Sequence, residues 1–184
     1  TNRVLVVKSE TGSGKSTVLP VAILRIVRSE MTPPRFRYRG PGVMCTQPRV
    51  LTAIALARDV SSRPWNPDIV LDKTVGYLTG PIQRKPVSGL IYATTGVLAA
   101  QILRSQAAGA KSIMDLYRFI IVDEAHERSI QSDFVLMILR NFYERHAGNP
   151  RLPFLILASA TFDPYKYAAY FSVPADNVFE VTGR

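Results

Sequence analysis

The chain of 184 residues has one cysteine, one tryptophan and two histidines, and its 14 acidic residues are outnumbered by 23 lysines and arginines. With Cys45 alone, neither an internal disulfide nor a cysteine-based zinc site can form, which suits a reducing compartment better than a secreted one. A lone cysteine is ordinarily a small apolar core residue, and Cys45 is read as that. No apolar run approaches the ~18 residues that span a bilayer, and the first residues carry no signal-peptide pattern. The expected localisation is intracellular, with cytoplasm and nucleus both open. A formal net charge of +9 favours a polyanionic partner, RNA or DNA first, the alternative being charge that only keeps the domain soluble. A hydrophobic fraction of 47% with 20% charged residues is that of one globular domain with a sizeable core.

Short apolar runs alternate with longer amphipathic stretches, the pattern of repeated strand–helix–strand units in a parallel α/β sheet. Strands are predicted at Val4 to Val7, Val43 to Thr46, Thr74 to Leu78, Leu90 to Thr94, Phe119 to Val122 and Phe154 to Ala158. The last two are almost unbroken apolar runs, as strands covered on both faces require. Helices are predicted from Lys15 to about Glu30, with a kink at Pro20, from Val50 to Ser61 and from Gly96 to Gln106. Thr32 to Gly42 and Gly80 to Gly89 read as loops. Arg35, Arg37 and Arg39 in the first loop either touch phosphate or carry charge for solubility. Trp65 reads as the anchor of a small satellite core, and His146 as a helix-end residue.

Two segments carry chemistry, each directly behind an apolar run: S-E-T-G-S-G-K-S-T at Ser9 to Thr17, and D-E-A-H-E-R-S at Asp123 to Ser129. A turn containing Gly12, Ser13 and Gly14 can bring backbone amides onto a β-phosphate, where a Cβ at the tightest points would block the approach. Glu10, Thr11 and Thr17 complete that cradle. Lys15 supplies a point charge toward the β- and γ-phosphates, and Ser16 offers a hydroxyl to Mg²⁺. The usual spacing asks for glycine at position 9, where a small serine stands. At the second strand end, Asp123 suits Mg²⁺, with Glu124 beside it to orient and deprotonate a water. The competing reading of the acidic pair is a helix cap and first-turn acid. His126 draws its interest from that pair.

D-E-A-H-E-R-S, together with C-T-Q-P-R at Cys45 to Arg49, T-T-G at Thr94 to Gly96 and S-A-T at Ser159 to Thr161, resembles the first RecA-like domain of a DEAH-box RNA helicase of superfamily 2. The motifs follow the family's order and cover essentially the whole chain. The resemblance implies a mostly parallel sheet with helices on both faces over residues 1–184, ATP or another NTP with Mg²⁺ held by Ser16, Asp123 and Glu124, and single-stranded RNA as the track. It implies that Gln47, Arg49, Thr94 and Thr95 contact nucleic acid. Ser159 and Thr161 would couple the nucleotide site to domain movement, and His126 would face a second RecA-like domain. The motif supplying that second domain's arginine fingers does not occur in these 184 residues. The chain is therefore expected to be a piece of a longer protein and nearly inactive alone. Protein activators are a further expectation.

Three positions depart from the family pattern. The arginine that stacks on the nucleobase is replaced by Asp59, leaving Arg58, one residue earlier, as the candidate. Val50 stands where a second arginine usually follows Q-P-R, and Val75-Gly76-Tyr77 continues as Leu78-Thr79-Gly80-Pro81. Implied activity is NTP-dependent 3′-to-5′ translocation with unwinding. The alternatives are an RNA-stimulated ATPase that remodels ribonucleoprotein without unwinding, and a non-enzymatic nucleic-acid-binding module.

Overall fold

In the computed structural model the described residues are 3–10, 12–30, 42–80, 82–84, 86, 89–106, 112–127, 129–161 and 163–181. The loop expected at Thr32 to Gly42, with Arg35, Arg37 and Arg39, lies outside them except for Gly42, as do Thr11 and parts of the loop at Gly80 to Gly89.

The strands are β1 (Val4–Ser9), β2 (Gly42–Gln47), β3 (Val75–Leu78), β4 (Gln83–Arg84), β5 (Gly89–Thr94), β6 (Tyr117–Val122), β7 (Phe154–Ser159) and β8 (Val178–Val181). The helices are α1 (Val18–Glu30), α2 (Val50–Ser62), α3 (Thr95–Arg104), α4 (Ile113–Leu116), α5 (Ile130–Arg145) and α6 (Pro164–Tyr170). The eight strands among the described residues join one sheet in the order β4-β3-β5-β2-β6-β7-β1-β8. Every pairing is parallel except that of β4 with β3. This is the mostly parallel RecA-like α/β fold.

Side chains alternate across the sheet with the strand period of two, so each strand feeds two cores. Met44, Ile91, Ile120, Leu155 and Leu157 face α3, α5 and α6, packing with Leu98, Ile102, Val135, Leu139 and Ala168. Val43, Cys45, Leu90, Ile121 and Ile156 face the other way, against Val21, Leu24 and Val27 of α1 and Ala53, Ala57 and Val60 of α2. The i, i+4, i+7 spacing in α2 is that of a helix with one buried stripe. Burial pushes the Cys45 thiol well above its usual range, with the Asp123 charge adding to the effect. No described helix is long and apolar enough to cross a membrane.

Three sequence expectations are corrected. Helix α1 starts at Val18, and residues up to Thr17 stay in turns, because the backbone is still closing around Gly14. Pro20 is therefore the third helical residue, where its absent N–H has no intrahelical partner to lose, so the expected reason for an interior kink does not apply. Trp65 is 66% exposed and lies 5.5 Å beneath the Arg63 guanidinium, so its ring is a partner for a cation and not a core anchor. Within the stretch expected as a loop, Gln83 and Arg84 instead pair with β3. Gly76 permits this: a Cβ there would come within 2.0 Å of the Arg84 carbonyl oxygen.

Candidate nucleotide site and nucleic-acid edge

Parallel strands deliver their carboxyl ends to one edge of a sheet, and the chemistry-bearing turns follow β1, β2, β5, β6 and β7 there. The turn after β1 and the turn after β6 are separated in the sheet only by β7.

The phosphate turn is built by two glycines with positive φ, Gly12 at 84° and Gly14 at 90°. Around Gly14 the space is also full: a Cβ would meet the Val18 side chain at 2.8 Å, while Gly14 O accepts from the amides of Thr17, Val18 and Leu19. Ser9 is buried, and its hydroxyl bonds Ser13 Oγ at 2.5 Å, so the residue in place of the family glycine ties one side of the turn to the other. Lys15 is buried, with Nζ donating to Glu10 O at 2.9 Å. No described carboxylate pairs with it, so the turn keeps a positive charge that a phosphate can neutralise. Residues 12–18 line a cavity of about 420 Å³ together with Leu56, Arg63 and Glu124. A larger cleft of about 530 Å³ involves Arg3, Arg140 and Asn149 at the amino-terminal edge of the sheet and contains none of the motif residues.

Gly14→Ala is expected to weaken nucleotide binding at least about tenfold, because a left-handed φ costs a non-glycine residue roughly 1–3 kcal/mol and the Val18 overlap adds to it. Adding Val18→Ala removes the overlap but not the backbone strain. A titration with fluorescent nucleotide should then show partial recovery; complete recovery would exclude φ as the constraint.

Asp123 is 3% exposed, and a carboxylate in that position needs donors. Among the described residues it has three: Ser16 Oγ donates to Oδ2 at 2.5 Å, Gln47 Nε2 to the same oxygen at 2.8 Å, and the Glu124 amide to Oδ1 at 2.9 Å. The Ser16 hydroxyl and the Asp123 carboxylate, 107 residues apart in sequence, thus form a hard-oxygen pair of the kind Mg²⁺ takes alongside water and phosphate oxygens. Glu124 has φ of +53°, an uncommon conformation for a side-chain-bearing residue. Its carboxylate lines the cavity and approaches His126 Nδ1 at 3.3 Å, so its recorded side-chain partner is His126, whereas Ser16 and Asp123 form the direct oxygen pair. His126 Nδ1 is also 2.6 Å from Ser159 Oγ, and the Thr161 amide donates to that hydroxyl at 3.4 Å. The acidic turn is fixed further by Ala125 N donating to Ala158 O and by the Tyr167 hydroxyl donating to Ala125 O.

Gln47, expected on the nucleic-acid path, is 1% exposed with its amide turned inward to Asp123, because β2 ends between β5 and β6 and the side chain falls against the β6 turn. Thr95 is 7% exposed and donates to Gln47 O at 3.3 Å, so its hydroxyl faces the protein. Arg49 and Thr94 remain at the edge: Arg49 is exposed with its guanidinium 3.7 Å from Glu127, and Thr94 is half-buried as the N-cap of α3. Arg58 is exposed and does not line the cavity. Arg63, at the end of α2, does, with Asp59 holding it at 2.5 Å. The helix turn between them rotates Arg58 away.

Tyr92 escaped the sequence reading because a tyrosine in an apolar strand looks like core. It is fully buried, and its hydroxyl donates to Ser16 O at 2.8 Å. Burial, with the Asp123 charge adding to it, pushes its phenol well above the usual range, so it stays a donor at neutral pH. Tyr92→Phe leaves that carbonyl without its donor and is expected to cost about 1–3 kcal/mol in denaturant melting, with weaker nucleotide binding. Unchanged stability would show the carbonyl satisfied otherwise.

A DEAD/DEAH box helicase family model matches residues 1–168. "Putative RNA Helicase B962L" of African swine fever virus is 48% identical over 188 residues, covering 100% of this chain and 19% of that protein. Human ATP-dependent RNA helicase TDRD9 is 36% identical over 194 residues, covering 100% of this chain and 12% of its own length. Human ATP-dependent RNA helicase DHX29 is 32% identical over 185 residues, covering 93% of the chain and 12% of its own length. The chain spans less than a fifth of each of these relatives. A match running through residues 1–168 takes in every motif turn at the carboxyl edge of the sheet, and the chain belongs to the DEAD/DEAH box helicase family.

Proposed function

We propose that the chain is the nucleotide-binding motor domain of an NTP-dependent RNA helicase, working against a second RecA-like domain of the same protein. The observation that carries this reading is the contact between Ser16 Oγ and Asp123 Oδ2 at 2.5 Å, which joins the phosphate turn to the acidic turn at one point.

In this reading the amides of residues 12–16 and the Lys15 ammonium would bind the β- and γ-phosphates, and Ser16 and Asp123 would hold Mg²⁺. The ion, when bound, neutralises charge on the phosphate oxygens. Glu124, on the cavity wall, orients the attacking water and takes its proton, with His126 fixing the carboxylate. Ser159 and Thr161 tie this turn to the end of β7, so rearrangement at the phosphates is transmitted along a rigid strand. Arg49 and Thr94 contact the RNA backbone, which suits recognition blind to sequence. Direction of travel is proposed as 3′ to 5′ from family resemblance, and the location as intracellular. Arg63, which lines the cavity where Arg58 does not, is the candidate cation for the nucleobase.

The test is made on the full-length protein. NTP hydrolysis stimulated by single-stranded RNA, with release of a strand from a duplex bearing a 3′ overhang, is the expected result. Hydrolysis without strand release would support a remodelling ATPase, and no Mg²⁺-dependent nucleotide binding would refute the site.

A further inference from the structure

We infer that Gln47 is a positioning residue that ties nucleic-acid contact at the end of β2 to the metal-binding carboxylate of Asp123; the inference rests on the nucleotide and RNA reading above.

Gln47 is the last residue of β2 and pairs with Thr94 at the end of β5, while its neighbour Thr46 pairs with Val122, the residue before Asp123. The strand end thus sits between the proposed RNA edge and the acidic turn. The two polar ends of Gln47 point in these two directions. Its main-chain oxygen accepts from Thr95 Oγ1 at 3.3 Å, and its side-chain amide donates to Asp123 Oδ2 at 2.8 Å. The other recorded contact of that amide is Cys45 Sγ at 3.9 Å, a weak acceptor. Two residues further along, Arg49 reaches the surface, where Glu127 is its ion partner at 3.7 Å.

A phosphate that draws Arg49 away from Glu127 pulls on a backbone segment only two peptides from Gln47. A buried amide held at both ends converts that pull into a change in the orientation of Asp123. The burial matters because no solvent is present to replace the bond: a charge-assisted hydrogen bond at 1% and 3% exposure is strong, and its loss leaves the carboxylate oxygen with the Ser16 hydroxyl as its remaining recorded donor. Gln47 touches Asp123 through one hydrogen bond, beside those from Ser16 and the Glu124 amide, so the effect expected on altering it is one of orientation.

The experiment uses the full-length protein and its Gln47→Leu variant, similar in volume but without the donor. Equilibrium binding of a fluorescent, non-hydrolysable ATP analogue is measured with and without Mg²⁺, and with and without a single-stranded oligouridylate. In the wild type, Mg²⁺ is expected to tighten binding and the oligouridylate to tighten it again, with the analogue raising oligouridylate affinity by the same factor. In the variant, affinity without Mg²⁺ is expected to stay unchanged, the Mg²⁺ gain to fall about tenfold, and the oligouridylate increment to disappear. Retention of either the Mg²⁺ gain or the oligouridylate increment at the wild-type level overturns the inference. A melting scan without ligand reports folding, and Gln47→Met replaces leucine if that variant fails to fold. Wild-type protein that binds the analogue with Mg²⁺ but ignores oligouridylate removes the RNA reading and this inference with it. Wild-type protein that binds no analogue removes the nucleotide site itself.

Discussion

Lys15→Ala in the full-length protein is expected to lower RNA-stimulated NTP hydrolysis by about 10²-fold or more, and to weaken nucleotide binding as well. The effect is electrostatic. The Lys15 ammonium is buried in the phosphate turn, and its recorded partner is a neutral carbonyl, that of Glu10. Its charge is therefore available to a phosphate in a place where water screens it poorly. Alanine leaves the glycine geometry at Gly12 and Gly14 intact, so the loss reports the charge and not the turn. Steady-state turnover at saturating RNA checks the expectation, and near-normal turnover would refute the site assignment.

Glu124→Gln is expected to separate binding from chemistry. Turnover should fall by roughly 10² to 10⁴, while Mg²⁺-dependent nucleotide affinity stays near the wild-type value. Glutamine fits the same space, and its amide oxygen can still accept from His126 where the carboxylate now sits 3.3 Å away. What it lacks is the ability to take a proton from water. Asp123, the carboxylate proposed to hold Mg²⁺, accepts from the Glu124 backbone amide, a donor that the glutamine side chain does not remove. Single-turnover hydrolysis measured beside equilibrium binding makes the distinction. Parallel loss of both would mean that the Glu124 carboxylate holds the acidic turn together, a role its positive φ also allows.

Much of this site was legible in the chain itself. Gly12, Gly14, Lys15 and Ser16 are close in sequence because they build one turn, and Asp123, Glu124 and His126 because they build another. Local chemistry leaves a local trace. Gln47 was visible too, but its role was not: a polar residue beside Arg49 reads as surface until the neighbouring strands cover it. Tyr92 left no trace, since only packing shows that its hydroxyl meets the Ser16 carbonyl. Arg63 had no role in the sequence, and Arg58 was the candidate beside the nucleotide; the rotation of α2 decides that Arg63 borders the cavity and Arg58 does not.

By itself the sequence determined β1, β2, β3, β5, β6 and β7 and the helices α1 to α3 to within a few residues, because hydrophobic period and glycine stereochemistry act locally; β4, β8 and α4 to α6 emerged only in the structure. It also determined which side chains stand at the carboxyl ends of strands. The order of those strands came from the tertiary structure, which set β7 between β1 and β6 and β2 between β6 and β5. That order brings Ser16, Asp123 and Gln47 to a common point, and it follows from two cores being filled at once on opposite faces of one twisted sheet, a condition that no short stretch of chain can express.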